Sequence, residues 1–223
     1  MIEPDVHKSY YTFGLESKHM EQTNFNEEIV RKTVAFHGHM CPGLAIGIRA
    51  AEVALKEIGA HAHDEEVVAV VETDMCGVDA IQFLTGCTFG KGNLIHLDYG
   101  KNSFTFYRRS DGKGIRLVTR RQALDEPDPE WEILRSRLGE ANLTQEERDR
   151  FRQLHEARSK KILDLPLKNL FEIKEPQDKI PSHARIMDSV TCESCGEGVM
   201  ETRTRRFMGK MVCIPCFKEM EKR

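Results

Sequence analysis

The sequence predicts an α+β fold: a core of helices packed on a mainly antiparallel sheet, followed by a small cysteine-rich domain. Three observations carry this. The segment Leu44 to Ile58, LAIGIRAAEVALKEI, is apolar on most sides, as a helix at the centre of a core must be. Three short runs follow, Leu94–Tyr99, Ser103–Arg108 and Ile115–Thr119, joined by the hairpin-like turns Gly100-Lys101-Asn102 and Asp111-Gly112-Lys113-Gly114. Four cysteines then fall in two pairs close to the end of the chain. Helix, strand, helix and then an antiparallel meander is the order of an α+β domain rather than of a doubly wound sheet.

Residues 1–25 read as irregular and polar apart from Tyr10, Tyr11 and Phe13. Asn26 is a helix cap with Glu27 and Glu28 in the first turn, and Ile29, Val30 and Val34 form one stripe ending at Phe36. His37-Gly38-His39-Met40-Cys41-Pro42-Gly43 has no periodicity and reads as a loop, with Pro42 opening the buried helix that Gly59 closes. Val67 to Val71 is a β-branched run and reads as a buried strand, followed by a short helix from Val78 to Leu84. Past the meander, Thr144-Gln145-Glu146-Glu147 is a capping box for a helix to about Ile162, with Phe151, Leu154, Ile162 and Leu165 on one stripe. Trp131 and that stripe read as core or dimer contact. Proline and charge increase from Pro166 to Pro181, so the predicted division is a core domain at 1–165, a linker at 166–189 and a second domain at 190–223.

The chain has 223 residues, and 33 lysines and arginines against 36 aspartates and glutamates give a net charge of −3. That balance excludes a polybasic nucleic-acid protein by bulk charge and leaves only local basic faces. No apolar run reaches the ~20 residues that span a bilayer. The first residues, MIEPDVHKSYYTFG, lack the basic-then-apolar pattern of an export signal, and the seven cysteines are an odd number. The expectation is therefore a cytoplasmic protein, with no membrane partner, whose cysteines serve as metal ligands or reactive thiols.

Cys192, Cys195, Cys213 and Cys216 give C-x2-C-x17-C-x2-C. Each C-x-x-C makes a tight turn presenting two thiolates, and two such turns complete a tetrahedral zinc site. Residues 190–223 are too few to bury a core of their own, so a metal is what lets them fold as a zinc ribbon. Arg203, Arg205, Arg206 and Lys210 make the intervening hairpin basic, a surface for phosphates or a protein partner, partly offset by Glu193, Glu197 and Glu201.

Cys41, Cys76 and Cys87 lie in the first half. Cys41 and Cys76 each precede a helix, where backbone N–H groups and the helix dipole favour a thiolate. His37, His39 and Cys41 are spaced by two, which puts all three side chains on one side of an extended segment and offers three ligands to one transition-metal ion. Three protein ligands leave a coordination position open. Cys76 is a further candidate ligand, and one of Glu72, Asp74 and Asp79 can orient a histidine ring. Gly86-Cys87-Thr88-Phe89-Gly90-Lys91-Gly92-Asn93 departs from a nucleotide-binding phosphate loop: three residues, not four, precede Gly-Lys, and Gly92 follows the lysine. As a glycine-rich loop with an accessible thiol it makes Cys87 and Lys91 candidate contacts for an anionic cofactor.

His37-Gly38-His39-Met40-Cys41-Pro42-Gly43-Leu44 resembles the opening motif of the FmdE family, the E component of formylmethanofuran dehydrogenase. So do Asp79-Ala80-Ile81-Gln82, Thr85-Gly86-Cys87-Thr88, Gly90-Lys91-Gly92-Asn93-Leu94, Asp98 and Gly100-Lys101. The likeness covers about residues 25–160, and the C-terminal cysteines resemble a small domain carried by some members. The resemblance implies an α+β core, an intertwined homodimer and a cleft formed by the matching His, Cys and Gly-Lys-Gly positions. It does not imply formylmethanofuran oxidation, whose redox chemistry belongs to a molybdenum or tungsten pterin and iron–sulfur clusters on other subunits.

The leading expectation is a metal-binding accessory protein for a molybdenum- or tungsten-dependent dehydrogenase, which holds a metal or anionic cofactor in the core and docks partner subunits through the ribbon. One alternative is a zinc-ribbon regulator or nucleic-acid-associated protein with a dimerising core. Another is a cysteine-dependent enzyme using Cys41 or Cys76 as nucleophile and His37 or His39 as base.

Overall fold

The computed structural model describes residues 25–123, 128–138 and 143–222. The reading of residues 1–24 as irregular lies outside them. The chain divides into two compact units, residues 1–183 and 184–223.

The first unit begins with α1 (Glu27–His37), where the Asn26 side chain accepts the Ile29 amide at 2.9 Å. α1 stops at Gly38, whose φ of 103° is left-handed and suits glycine alone. α2 (Pro42–Glu57) starts on Pro42 and is buried on almost every side, as its composition requires. One face of α2, with Leu44, Ile48 and Ala51, packs on α1 and α3 (Gly77–Thr85). The other, with Ile46, Ala50 and Val53, packs on a five-stranded sheet.

That sheet comprises β1 (Val67–Val71), β2 (Leu94–His96), β3 (Ser103–Arg108), β4 (Gly114–Thr119) and β5 (Phe171–Lys174), in the order β2-β1-β3-β4-β5. β1 and β2 are parallel, and the remaining pairs are antiparallel, with Ala69 opposite Phe106 and Phe104 opposite Leu117. The fold is α+β, with helices on a mainly antiparallel sheet. β2 stops at His96, three residues short of the expected strand end, because the chain turns at Leu97–Tyr99. Residues 167–174, placed in a linker by their proline and charge, instead form one helical turn, α6 (Leu167–Leu170), and the fifth strand. β5 pairs along β4, and Leu170 and Phe171 are buried in the core.

α4 (Pro129–Leu138) and α5 (Gln145–Asp164) complete the unit, and α5 opens on the expected capping box of Thr144 and Glu147. Arg49 lies fully buried in the middle of α2, where its Nη2 donates to the Leu165 carbonyl at 2.8 Å and its Nη1 sits 3.1 Å from Glu52. A charge in so apolar a helix is tolerable only with such partners, and it ties the end of α5 to the core.

In the second unit, β6 (Ser189–Thr191) pairs with β7 (Gly198–Met200), and β8 (Thr204–Phe207) pairs with β9 (Lys210–Cys213). α7 (Ile214–Glu221) follows β9 directly. Among the described residues no helix is long and apolar enough to cross a membrane.

Candidate metal centres

In the C-terminal unit, the ligand atoms of Cys192, Cys195, Cys213 and Cys216 all lie within 4.8 Å of one another. Cys192 follows β6, and the chain folds back at once: the Gly196 amide donates to the Cys192 carbonyl at 2.9 Å. Cys213 ends β9 and caps α7, which carries Cys216 in its first turn. The Cys192 sulfur accepts the Cys213 amide at 3.2 Å, and backbone N–H groups of Cys195 and Cys213 pull its thiol down to about 6. Two turns presenting four thiols to one point match the tetrahedral all-cysteine chemistry of structural zinc. Arg203, Arg205, Arg206 and Lys210 are exposed.

A second group of side chains of metal-ligating type lies in the core. One atom each of His37, His39 and Cys41 falls within 4.8 Å of the others. The helices set this up. His37 is the last residue of α1, and the left-handed turn at Gly38 carries the chain round so that the rings of His37 and His39 sit 4.7 Å apart. Cys41 caps α2, its sulfur accepting the Leu44 amide at 3.3 Å. His37 Nδ1 lies 2.7 Å from a carboxylate oxygen of Asp79 in the first turn of α3. That pairing puts the ring proton on Nδ1 and leaves Nε2, which faces the Cys41 sulfur at 3.9 Å, as a lone-pair donor. Asp79 is thus the carboxylate that orients the histidine. Of the other two candidate acids, Glu72 is spent on Arg116 at 2.7 Å and on Ser103 at 3.2 Å, and Asp74 is exposed.

Cys76 stands outside this cluster of three but close by, where α2 and α3 cross. A methyl group built on Gly43 would lie 3.8 Å from its sulfur and 3.9 Å from that of Cys41. The helix N-terminus does not make Cys41 a thiolate in the metal-free protein: burial outweighs the Leu44 amide and pushes the thiol up to about 11. An unassisted nucleophile needs the opposite shift, whereas a bound metal removes the thiol proton itself.

The glycine-rich loop does not join the site. Cys87 is fully buried, donates to the Val67 carbonyl at 3.4 Å and has its thiol raised by burial to about 11. The expected access is missing because the loop packs against β1. Lys91 donates to the Ala62 carbonyl at 2.7 Å, so its ammonium ties down the segment before β1.

His39, Cys41 and Cys76 open onto a cleft of about 960 Å³, walled by α4, α5 and the residues after β4. Trp131 lines it and stacks on Phe151 and His155, each with ring centroids 4.6 Å apart from its own. The sequence pattern assigns Trp131 to packing; only the return of α4 onto α5 shows that it also borders the cleft.

Replacing Asp79 by alanine removes the carboxylate that holds His37. Metal affinity at the core should fall about 10–100-fold, measured by competition with a chromogenic chelator. Asp79 is 40 % exposed, so the melting temperature should move little.

Comparison with known proteins places this arrangement. The C-terminal residues 188–222 match a domain described as a prokaryotic dksA/traR C4-type zinc finger. A probable S-adenosyl-L-methionine-binding protein of Archaeoglobus fulgidus is 30 % identical over 206 residues, covering 88 % of this chain. The chain spans only about half, 55 %, of that relative's length. A crystal structure of a tungsten formylmethanofuran dehydrogenase FmdE-like protein from Syntrophus aciditrophicus shares the fold. It has a TM-score of 0.54 at 23 % identity, over 88 % of this chain and 94 % of that one. Residues 36–172, which run from the turn bearing the core ligands to the first residues of the fifth strand, match the family described as FmdE, molybdenum formylmethanofuran dehydrogenase operon. With more than half its length matched, and the His37–Cys41 turn inside the match, the chain belongs to the FmdE family.

Proposed function

We propose that this chain is a metal-binding accessory protein that works beside a molybdenum- or tungsten-dependent dehydrogenase. In this reading His37, His39 and Cys41 hold a transition-metal ion in the core, with Cys76 beside them as a further thiol. Cys192, Cys195, Cys213 and Cys216 hold structural zinc, and the finger docks the partner, presenting Arg203, Arg205, Arg206 and Lys210. The observation that carries the proposal is the convergence of His37, His39 and Cys41 within 4.8 Å, with the His37 ring set by Asp79. Three mixed nitrogen and sulfur ligands at the edge of a cleft suit an ion that keeps a coordination position open. The operon association in the family's description supports a dehydrogenase partner. Pairing of two chains belongs to the same reading.

Elemental mass spectrometry on the purified full chain tests this. Two metal ions per chain are expected. The double variant His39→Ala/Cys41→Ser should retain one, because serine still caps α2 and the finger is untouched. A wild-type content of one zinc per chain, unchanged in the variant, would overturn the core site. Light scattering on the same samples should give twice the 25.6 kDa chain mass; a monomer would remove the pairing.

A further inference from the structure

Two thiols of the core stand side by side, and the metal reading uses only one of them as a ligand. Cys41 is the cap residue of α2 and Cys76 that of α3. Backbone presses the two helix starts together: a methyl group on Gly77 would lie 2.9 Å from the Gly43 carbonyl oxygen. A methyl on Gly43 would in turn lie 3.2 Å from the Cys76 Cβ, 3.8 Å from the Cys76 sulfur and 3.9 Å from the Cys41 sulfur. Burial is the main cause of the raised Cys41 thiol, and the Cys76 thiol beside it adds to the shift. Both residues line the cleft, with Cys76 half-buried, so a small reagent entering it meets the pair. Cys87 offers a contrast within the same unit, fully buried and donating to the Val67 carbonyl. Thiols held close together and reachable from solvent are the arrangement that exchanges with a disulfide.

We infer that Cys41 and Cys76 form a reversible disulfide, with a low-molecular-weight disulfide as oxidant, and that on the reading of His37, His39 and Cys41 as ligands this bond empties the core metal site. In the first step the Cys76 sulfur attacks one sulfur of the reagent, RSSR. The reagent's S–S bond breaks, and the departing sulfur takes up the Cys76 proton and leaves as RSH. In the second step the Cys41 sulfur attacks the Cys76 sulfur of the mixed disulfide and displaces the remaining RS group as a thiolate. The two cysteine sulfurs are oxidised, and the reagent is reduced to two thiol equivalents. The ion keeps its charge but loses the Cys41 thiolate, and two imidazoles alone hold it far less well. A dithiol reverses both steps.

The probe is 2-hydroxyethyl disulfide, added to the purified full chain. Tandem mass spectrometry of the digest should show Cys41 joined to Cys76, with Cys87 still a free thiol. A chromogenic chelator present throughout should take up the core ion as the cross-link forms, faster than without the reagent. Dithiothreitol should then restore both thiols and the capacity to rebind that ion. In Cys76→Ala the cross-link is impossible, and reagent-driven release should be at least tenfold slower. Circular dichroism establishes that the variant folds, and Cys76→Ser replaces it should it fail to. A wild-type product without the Cys41–Cys76 bond, either unreacted or carrying 2-hydroxyethylthio groups on separate cysteines, would overturn the inference. Equal release rates in the wild type and the Cys76 variant would overturn the disulfide's hold on the ion. A chain that cross-links but holds only the finger's ion would instead remove the core metal and leave the thiol pair. Two ions per chain with no cross-link would remove the disulfide and leave the metal site.

Discussion

Stripping metal from the finger is expected to unfold residues 189–221 while the five-stranded sheet survives. The buried apolar content of that unit is Cys192, Val212 and Cys213, helped by Val199, Phe207, Phe217 and Met220, and two of the first three are themselves metal ligands. β6 and β7 are three residues each, and β8 and β9 four. Hairpins this short are marginal alone, whereas zinc bound to a structural site supplies about 10–16 kcal/mol of folding free energy. Hydrogen exchange after chelation, or in Cys213→Ser, should therefore show the amides of Arg205 and Val212, paired across β8 and β9, unprotected. Those of Ala69 and Phe106, paired at the centre of the sheet, should keep their protection. Persistent protection across β8 and β9 in metal-free protein would show that the finger folds without its ion.

Gly47→Ala should be the most damaging single methyl in the core. A methyl group there would lie 2.1 Å from the Gly77 carbonyl oxygen and 2.5 Å from its Cα, so the obstacle is backbone and cannot rotate away. On the other side, a methyl on Gly77 would meet the Gly43 carbonyl at 2.9 Å. Gly43, Gly47 and Gly77 thus let α2 and α3 cross almost backbone to backbone. Prising them apart costs about 3 kcal/mol by the usual scale of core overpacking, which lowers the melting temperature by roughly 6–12 °C for a unit of this size. The crossing also holds Asp79 against His37 and Cys76 beside Cys41, so core metal affinity should fall with stability. Calorimetry and a metal titration on one sample test both. A melting temperature within 2 °C of wild type, roughly the scale of 1 kcal/mol, would mean that the helices separate at little cost.

What could be read from the sequence was local. α1, α2, β1 and α5 begin near Asn26, Pro42, Val67 and Thr144, where caps, proline and β-branched residues act within a few positions. The turn from His37 to Cys41 is legible for the same reason, since its three residues are close in sequence, and the finger is legible from the regular spacing of its two C-x-x-C pairs. Features set by distant partners were not. β5 is recognisable only once β4 offers an edge, because Phe171-Glu172-Ile173-Lys174 has little apolar character of its own. Cys87 looked accessible beside three glycines, but its burial depends on β1, twenty residues earlier. Arg49 gives no sign of its total burial until Leu165 and Glu52 are seen around it.

The two groups of ligands differ in how much chain each must order. His37, His39 and Cys41 span five residues held between two helices packed into the apolar core, while the finger joins Cys192 to Cys213 across a long loop with almost no core. Loop closure grows costlier with the chain enclosed, and in the finger the ion and the fold form together. An ion bound at the core turn would therefore be able to depart without the protein unfolding, whereas one held by the finger's four cysteines would be part of its fold.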